Sequence, residues 1–449
     1  RNAPRLPDVV RRGGGRWSTP DVSRAGACVT EPPDRRTETA EAAPSAGRVS
    51  PWGSLAFANF RWVLVSFVVG FMGFQIRQVT NLWVIWELTG STLSLGLLGI
   101  FQFAPMLILV FIGGSIADIV DRRTLLILTQ TGNFALAGIL ATLFLTDNIQ
   151  VWHIYMTTLV TSAVNTFEGP ARMAMLPRLV PRTHMMNAIT MNQAARHASM
   201  LIGPAIGGLL IGLVGPGWTY AAVFVVFIPT VGALFLVSPM PPDASAGRRR
   251  MDVSSMLAGF RFVFSTHAIL VMLLLDVVAM FFTHHRGLMP VFEEILNAGS
   301  FGYGLLFSAP AAGFLVGSGA LLLLGDFKHK GAMVVGSYAA YLVSMAMFAL
   351  STNFLFSLAA LALVGATDGI GAIMRSTIVQ MAVPDDIRGR TTAVLQLSNR
   401  GGPSLGQVIV GAMAAALLAP NALLVGTAIG AATLVIALLL VRDIVRYQS

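Results

Sequence analysis

Several ionisable side chains of this 449-residue chain sit inside long apolar stretches, where an unpaired charge is costly and a functional role is the default expectation. Asp276 interrupts the run L-L-L-D-V-V, Asp368 lies midway along another apolar stretch, and Glu168 lies in a third. A carboxylate at membrane depth can load a proton on one side of a bilayer and release it on the other. Asp368, Asp276 and Glu168 are therefore candidates for proton coupling, and each could equally be half of a structural ion pair. Asn165, Glu168 and Arg172 fall on one helical face, and Glu168 can pair with Arg172 at i, i+4. Gln75, Arg77, Gln78 and Asn81 share another face. That face, with Asn165, is a candidate cavity lining; the alternative is polar contact between helices.

Other chemistries find little support. Metal-ligand spacing is not evident, and Cys28 is the lone cysteine, which excludes a disulfide framework. His184 and His197 read as loop or packing histidines. His284 and His285 flank Arg286 and could sense pH or simply pack. Only two lysines occur, Lys328 and Lys330, and neither follows a glycine, so the phosphate-cradling loop of an ATP-driven pump is missing. No nucleophile–base pair marks an enzyme.

The elements that must hold these residues are apolar and long. The chain is 55% hydrophobic and 11% charged, against about 25% charged for a soluble domain. About twelve apolar stretches follow residue 59, each near the roughly 20 residues that cross a bilayer as a helix. They cover 61–86, 92–116, 124–146, 152–173, 187–213, 218–238, 264–291, 301–324, 331–350, 354–379, 391–417 and 421–441. Lipid leaves open backbone groups without partners, so the spans are helices, and the alternating strands of a membrane barrel are absent. The net charge of +9 does not signal nucleic acid, because the basic residues are spread over short loops.

Those loops set the orientation. On one side they carry Arg122, Arg123, Arg178, Arg182, Arg248, Arg249, Arg250, Arg261, Lys328, Lys330, Arg388, Arg390, Arg442 and Arg446. On the other side they carry Glu87, Asp147, Glu293 and Glu294 and no cation. The positive side faces the cytoplasm, so both termini are expected there. Arg286 is the exception, near the outer end of the seventh span; it either snorkels or faces a cavity. Residues 1–58 hold nine arginines, six acids and no sustained apolar run, and are expected to form a disordered cytoplasmic tail. Residues 59–238 and 263–449 form two six-helix halves. Between them, 239–262 is a Pro- and Arg-rich linker, and an apolar periodicity over 252–264 suggests a helix on the membrane surface.

The halves repeat. At a shift of 203 residues, Arg172 meets Arg375, Val180 meets Val383, Pro181 meets Pro384, Gln193 meets Gln396, Gly203 meets Gly406, Ile206 meets Ile409 and Gly208 meets Gly411, with Asn165 on Asp368. The loop after the second span reads G-G-S-I-A-D-I-V-D-R-R (113–123), and the fifth span holds I-G-P-A-I-G-G (202–208). The first resembles the loop signature of the major facilitator superfamily, and the second its exporter-type motif. The stretches G-P-A-R-M-A-M-L-P-R-L-V-P-R (169–182), Q-M-A-V-P-D-D-I-R-G-R (380–390), F-R-W (60–62) and E-L-T-G-S (87–91) resemble the bacterial branch that contains siderophore and drug exporters. This resemblance covers residues 55–440. It implies an all-α membrane protein, twelve transmembrane helices in two pseudo-symmetric six-helix bundles, and no organic cofactor. It implies an inner gate at Gly114, Asp118, Asp121, Arg122, Arg123, Arg388 and Arg390, and an export motif at Gly203, Pro204, Gly207 and Gly208. Arg172, near the inner end of its helix, reads as a further gate residue that could pair with Asp118, and Arg375 is its counterpart in the repeat. Ile119 stands where the family has a basic residue. The glycine motif has a plainer reading as a packing face.

The expected function is proton-coupled export of a small amphipathic molecule, a drug or a siderophore, by a monomer in the lipid bilayer of a bacterial inner membrane. Its partners are the small-molecule substrate and protons, with no nucleic acid. An importer or uniporter of the same fold is the alternative, and a receptor or scaffold that does not transport is the alternative of another class. The topology is directly testable. In a Cys28-free protein, cysteine at position 245 should resist membrane-impermeant maleimide in intact cells and react in everted membranes; labelling from outside would overturn the orientation.

Overall fold

The computed structural model describes residues 50, 52–119, 121–239, 261, 264, 267–325, 329–383 and 388–440. The expected tail through residue 49 and the linker with its surface helix over 240–260 lie outside the described residues. So do the side chains of Gly114, Asp118, Arg388 and Arg390.

Helices α1 (Ala58–Thr89), α2 (Thr92–Ile119), α3 (Arg122–Leu145) and α4 (Val151–Leu179) follow the first four apolar stretches. Gly90 stops α1 in the left-handed conformation, φ 57°, its N–H donating to the Trp86 carbonyl. The next helix, α5 (Met185–Phe235), holds two crossings. Gly215 breaks it at φ 82° and ψ 167°, a backbone that needs glycine, and Pro216 restarts the helix where its missing N–H does no harm. Then come α6 (His267–Phe282), a 3-10 turn at His285–Leu288, and α7 (Met289–Leu296). The last five are α8 (Gly299–Leu324), α9 (Lys330–Ala349), α10 (Phe354–Ala382), α11 (Arg388–Leu417) and α12 (Ala419–Leu440).

One sequence expectation needs correction. The apolar stretch 264–291 reads as an unbroken span, but the structure interrupts it between Phe282 and Met289. Pro290 has no N–H to give the carbonyl four residues back and its ring crowds that carbonyl, which favours a break here, and the helix restarts with Pro290 in its first turn.

Nine stretches among the described residues are long and apolar enough to cross a membrane. One of these covers both arms of α5, and the polar helices α4 and α11 complete twelve crossings. The chain is thus an all-α membrane protein built from two six-helix bundles.

The bundles touch where glycines let backbones approach. Gly96 of α2 lies against Gly411 of α11, and Gly208 of α5 lies against Gly304 of α8. A large apolar core spans both bundles at the end holding the acidic loops, with Ile85, Leu98, Tyr220, Phe292, Tyr303 and Phe348 fully buried in it. Among the described residues, three hydrogen bonds cross the bundles there. Tyr303 donates to the Val79 carbonyl (2.9 Å), Trp86 Nε1 to Glu294 (3.2 Å) and Gln407 Nε2 to the Leu95 carbonyl (2.7 Å). Toward the arginine-rich end the described cores belong to one bundle each: Phe60, Met175 and Leu234 in the first, Met272, Val334 and Ile378 in the second.

A methyl group at Gly208 would fall 2.8 Å from the Gly304 backbone. Gly208→Ala should therefore cost about 1–3 kcal/mol by overpacking. Gly232→Ala, with nothing within 4 Å, should be neutral or stabilising by up to about 1 kcal/mol. Thermal unfolding of the two purified variants in detergent checks the contrast.

Candidate transport site

A cavity of about 140 Å³ lies between the bundles. The first bundle lines it with Gln75 and Gln78 of α1, Gln102 of α2 and Pro204 of α5. The second contributes His284 and Arg286 from the break between α6 and α7, Phe307 of α8, and Pro403 and Gln407 of α11. The break explains why Arg286 is there. A discontinuous helix frees side chains and backbone to point into a cavity at membrane depth.

The polar face of α1 divides in two. At about 100° per residue, Gln75 and Gln78 lie about 60° apart and face the cavity, while Arg77 and Asn81 lie about 40° apart and turn into the first bundle. Arg77 is 2% exposed; its Nη2 donates to Asn133 Oδ1 (3.3 Å), whose Nδ2 donates to Asn165 Oδ1 (2.9 Å). Its Nη1 is buried with no hydrogen-bond partner. Asn81 accepts from the Tyr220 hydroxyl (2.9 Å) and donates to Thr158 (3.4 Å). Glu168 and Arg172 form an ion pair along α4, and the Arg172 guanidinium lies 3.8 Å from the centre of the Phe67 ring.

The second bundle holds a longer charge network. Arg375 of α10 pairs with Asp276 of α6 at 2.6 Å. Asp368, an exposed residue of α10, lies within electrostatic reach of both Arg375 and Arg286. Tyr341 and Thr283 share a hydrogen bond of 2.8 Å beside it. Two carboxylates and two guanidinium groups thus run from the buried Asp276 to Arg286 at the cavity. Sequence spacing places Arg375 as a counterpart of Arg172 but gives no sign that its partner is Asp276, because the pair forms only when α6 docks on α10.

The remaining sequence candidates serve contacts that the structure makes plain. Asp121 caps α3, accepting from the Arg123 N–H and the Thr124 hydroxyl (3.2 Å each). Arg122 donates to the Ala174 carbonyl of α4 (2.8 Å). Arg123 donates to the Leu234 and Phe235 carbonyls (3.0 and 2.9 Å), at the negative end of the α5 dipole. Gly203 and Gly207 seat α5 on Gln75 and Ile76 of α1, while Gly208 meets α8. His184 packs edge-on against Phe57, and His197 stacks on Phe314 across the bundles. No cluster of metal-ligating side chains occurs among the described residues.

The profile of the transmembrane secretion effector family, a branch of the major facilitator superfamily, matches residues 49–446. The chain belongs to that family. It is 24% identical over 364 residues to the enterobactin exporter EntS of Escherichia coli O1:K1, covering 79% of this chain and 85% of the relative. The counterpart in Shigella boydii serotype 18 matches to the same extent. The solved nucleoside transporter NupG shares the fold at a TM-score of 0.64 and 14% identity, covering 87% of this chain and 100% of NupG. A bacterial homologue of the human lysosomal transporter Spinster superposes at 0.66 and 13% identity, covering 86% of this chain and 96% of its own. This member of the family is an integral multi-pass membrane protein and a secondary transporter of a small-molecule substrate, not an enzyme.

The ion pair can be tested directly. Arg375→Gln leaves Asp276 buried without its cation and should destabilise by about 3 kcal/mol. Adding Asp276→Asn should recover part of that loss, since both charges then leave together. Unfolding of the single and double variants in detergent gives the coupling; strict additivity would mean that the pair contributes nothing.

Proposed function

We propose that this protein is a proton-coupled exporter that carries a small amphipathic molecule across the bacterial inner membrane by alternating access. The observation behind this reading is the cavity shared by the two bundles, closed at one end by a common apolar core and adjoined by a carboxylate–arginine network. The 59–238 and 263–449 halves rock about this cavity. The arginine-rich end faces the cytoplasm together with both termini, opposite the closed end, and the chain acts as a monomer. Export is favoured by the family relatives named as exporters and by the glycine–proline motif at Gly203, Pro204, Gly207 and Gly208.

Coupling resides in the second bundle. Asp368 is the leading proton carrier because it is exposed beside Arg286 and Arg375, whereas Asp276 is committed to Arg375. Glu168 is held by Arg172 in the first bundle. Gly114, Asp118, Arg388 and Arg390 close the cytoplasmic side in the opposite conformation, with Asp121, Arg122 and Arg123 bracing the first bundle around them.

The reading is tested by transport. Everted vesicles should take up amphipathic dyes when a proton gradient, acid inside, is imposed. Asp368→Asn should abolish uphill uptake by at least tenfold and leave exchange down the dye's own gradient intact. Proton-driven uptake in intact cells with none in everted vesicles would establish an importer, and uphill transport at the normal rate by Asp368→Asn would remove Asp368 from the coupling step.

A further inference from the structure

We infer that the cavity selects an organic anion, held by Arg286 and the surrounding glutamine amides. The inference rests on the transport reading of this cavity and names its substrate class. Among the described residues that line the cavity, Arg286 is the one with a formal charge at neutral pH. It reaches the cavity through the broken segment between α6 and α7, so its position comes from the backbone and not from a long side chain snorkelling from elsewhere. Four glutamines line the same cavity: Gln407 donates its amide to the Leu95 carbonyl, while Gln75, Gln78 and Gln102 of the first bundle offer amide donors from the other wall. A guanidinium presents a planar fork that matches the oxygen pair of a carboxylate or sulfonate. Phe307 supplies an apolar wall for an aromatic or aliphatic body.

The charges behind the wall agree. The side chains described at membrane depth include Arg77, Arg172, Arg286 and Arg375, against Glu168, Asp276 and Asp368. Glu168 is paired with Arg172 and Asp276 with Arg375, and the exposed Asp368 lies in the field of Arg375 and Arg286. A cationic substrate would find every described carboxylate already facing a guanidinium. Arg77 deepens the bias: it is fully buried, its described hydrogen-bond partner is the neutral Asn133, and its Nη1 has none. The field felt by a ligand between the bundles is therefore positive, and in a low-dielectric site that field acts with little screening.

The test is equilibrium binding to the purified full-length protein in detergent, read by fluorescence anisotropy, which depends on neither transport direction nor proton coupling. The probes are fluorescein, an anion, and ethidium, a cation of comparable size. Fluorescein should bind at least tenfold more tightly than ethidium. Arg286→Gln should weaken fluorescein at least tenfold, and Arg286→Lys should keep most of the affinity. Gln78→Glu, which adds a negative charge to the cavity wall away from the helix break, should weaken fluorescein and strengthen ethidium even if the Arg286 variants fold poorly. Failure of fluorescein to bind, tighter binding of ethidium, or affinities unmoved within twofold by Gln78→Glu would overturn the inference. Binding as described with no proton-driven transport would leave anion selection standing and sink the exporter reading alone.

Discussion

Hydrocarbon offers no partner to an open backbone group or a lone charge, and nearly every feature of this protein follows from that constraint. Regular helices satisfy their backbone internally, so the chain is helical almost wherever it is described. Where the helices stop inside the protein, the interruption is shielded. Gly215 breaks α5 at the acidic-loop end, and the segment between α6 and α7 opens toward the cavity. Charges obey the same rule: Glu168 has Arg172, and Asp276 has Arg375.

The bundles themselves are assembled by close approach and not by strong bonds. Lipid tails are as apolar as leucine, so apolar side chains gain little by leaving lipid for each other, and small residues that let backbones meet become the main attractive device. Gly96 against Gly411 and Gly208 against Gly304 provide it. These two contacts join α2 to α11 and α5 to α8, one pair on each flank of the cavity. Neither commits the bundles to one tilt, because a glycine contact has no side chain that must be pulled from a hole.

Much of this was legible in the sequence, for reasons that differ by element. The apolar stretches mark the spans because length and hydropathy are properties of each segment alone. Gly215-Pro216 marks the break in α5 in the same local way. The interruption before Pro290 is hidden because the apolar flanks, 268–282 and 288–292, together reach the length of a span and read as one helix across the polar stretch Thr283–Gly287. The face of α1 was recognised, but its division between cavity and bundle depends on how α1 sits against α3, α4 and α5, which no periodicity contains. The Asp276–Arg375 pair joins residues on helices far apart in sequence, and the repeat pointed elsewhere, to Arg172, whose own acid lies one turn away on the same helix. The two arginines match in the sequence repeat, but their partners are not equivalent.

That inequivalence bears on how the two bundles divide the work. In the first bundle Arg172 and Glu168 move as one body, since a pair within a helix keeps its geometry whatever the bundles do. In the second, Asp276, Arg375, Asp368 and Arg286 lie on three separate segments, one of them the broken stretch that lines the cavity. A shift of that stretch by an ångström or two changes how Arg286 is shared between Asp368 and whatever occupies the cavity. The closed end adds a matching constraint. Its three cross-bundle hydrogen bonds are each worth about 0.5–1.5 kcal/mol, a total on the order of the few kcal/mol that separate populated conformers. Two of the three lead back to the cavity: Gln407 lines it directly, and Tyr303 bonds to the carbonyl of Val79, which lines it too. Occupancy of the cavity and closure of the far end therefore draw on the same short set of side chains.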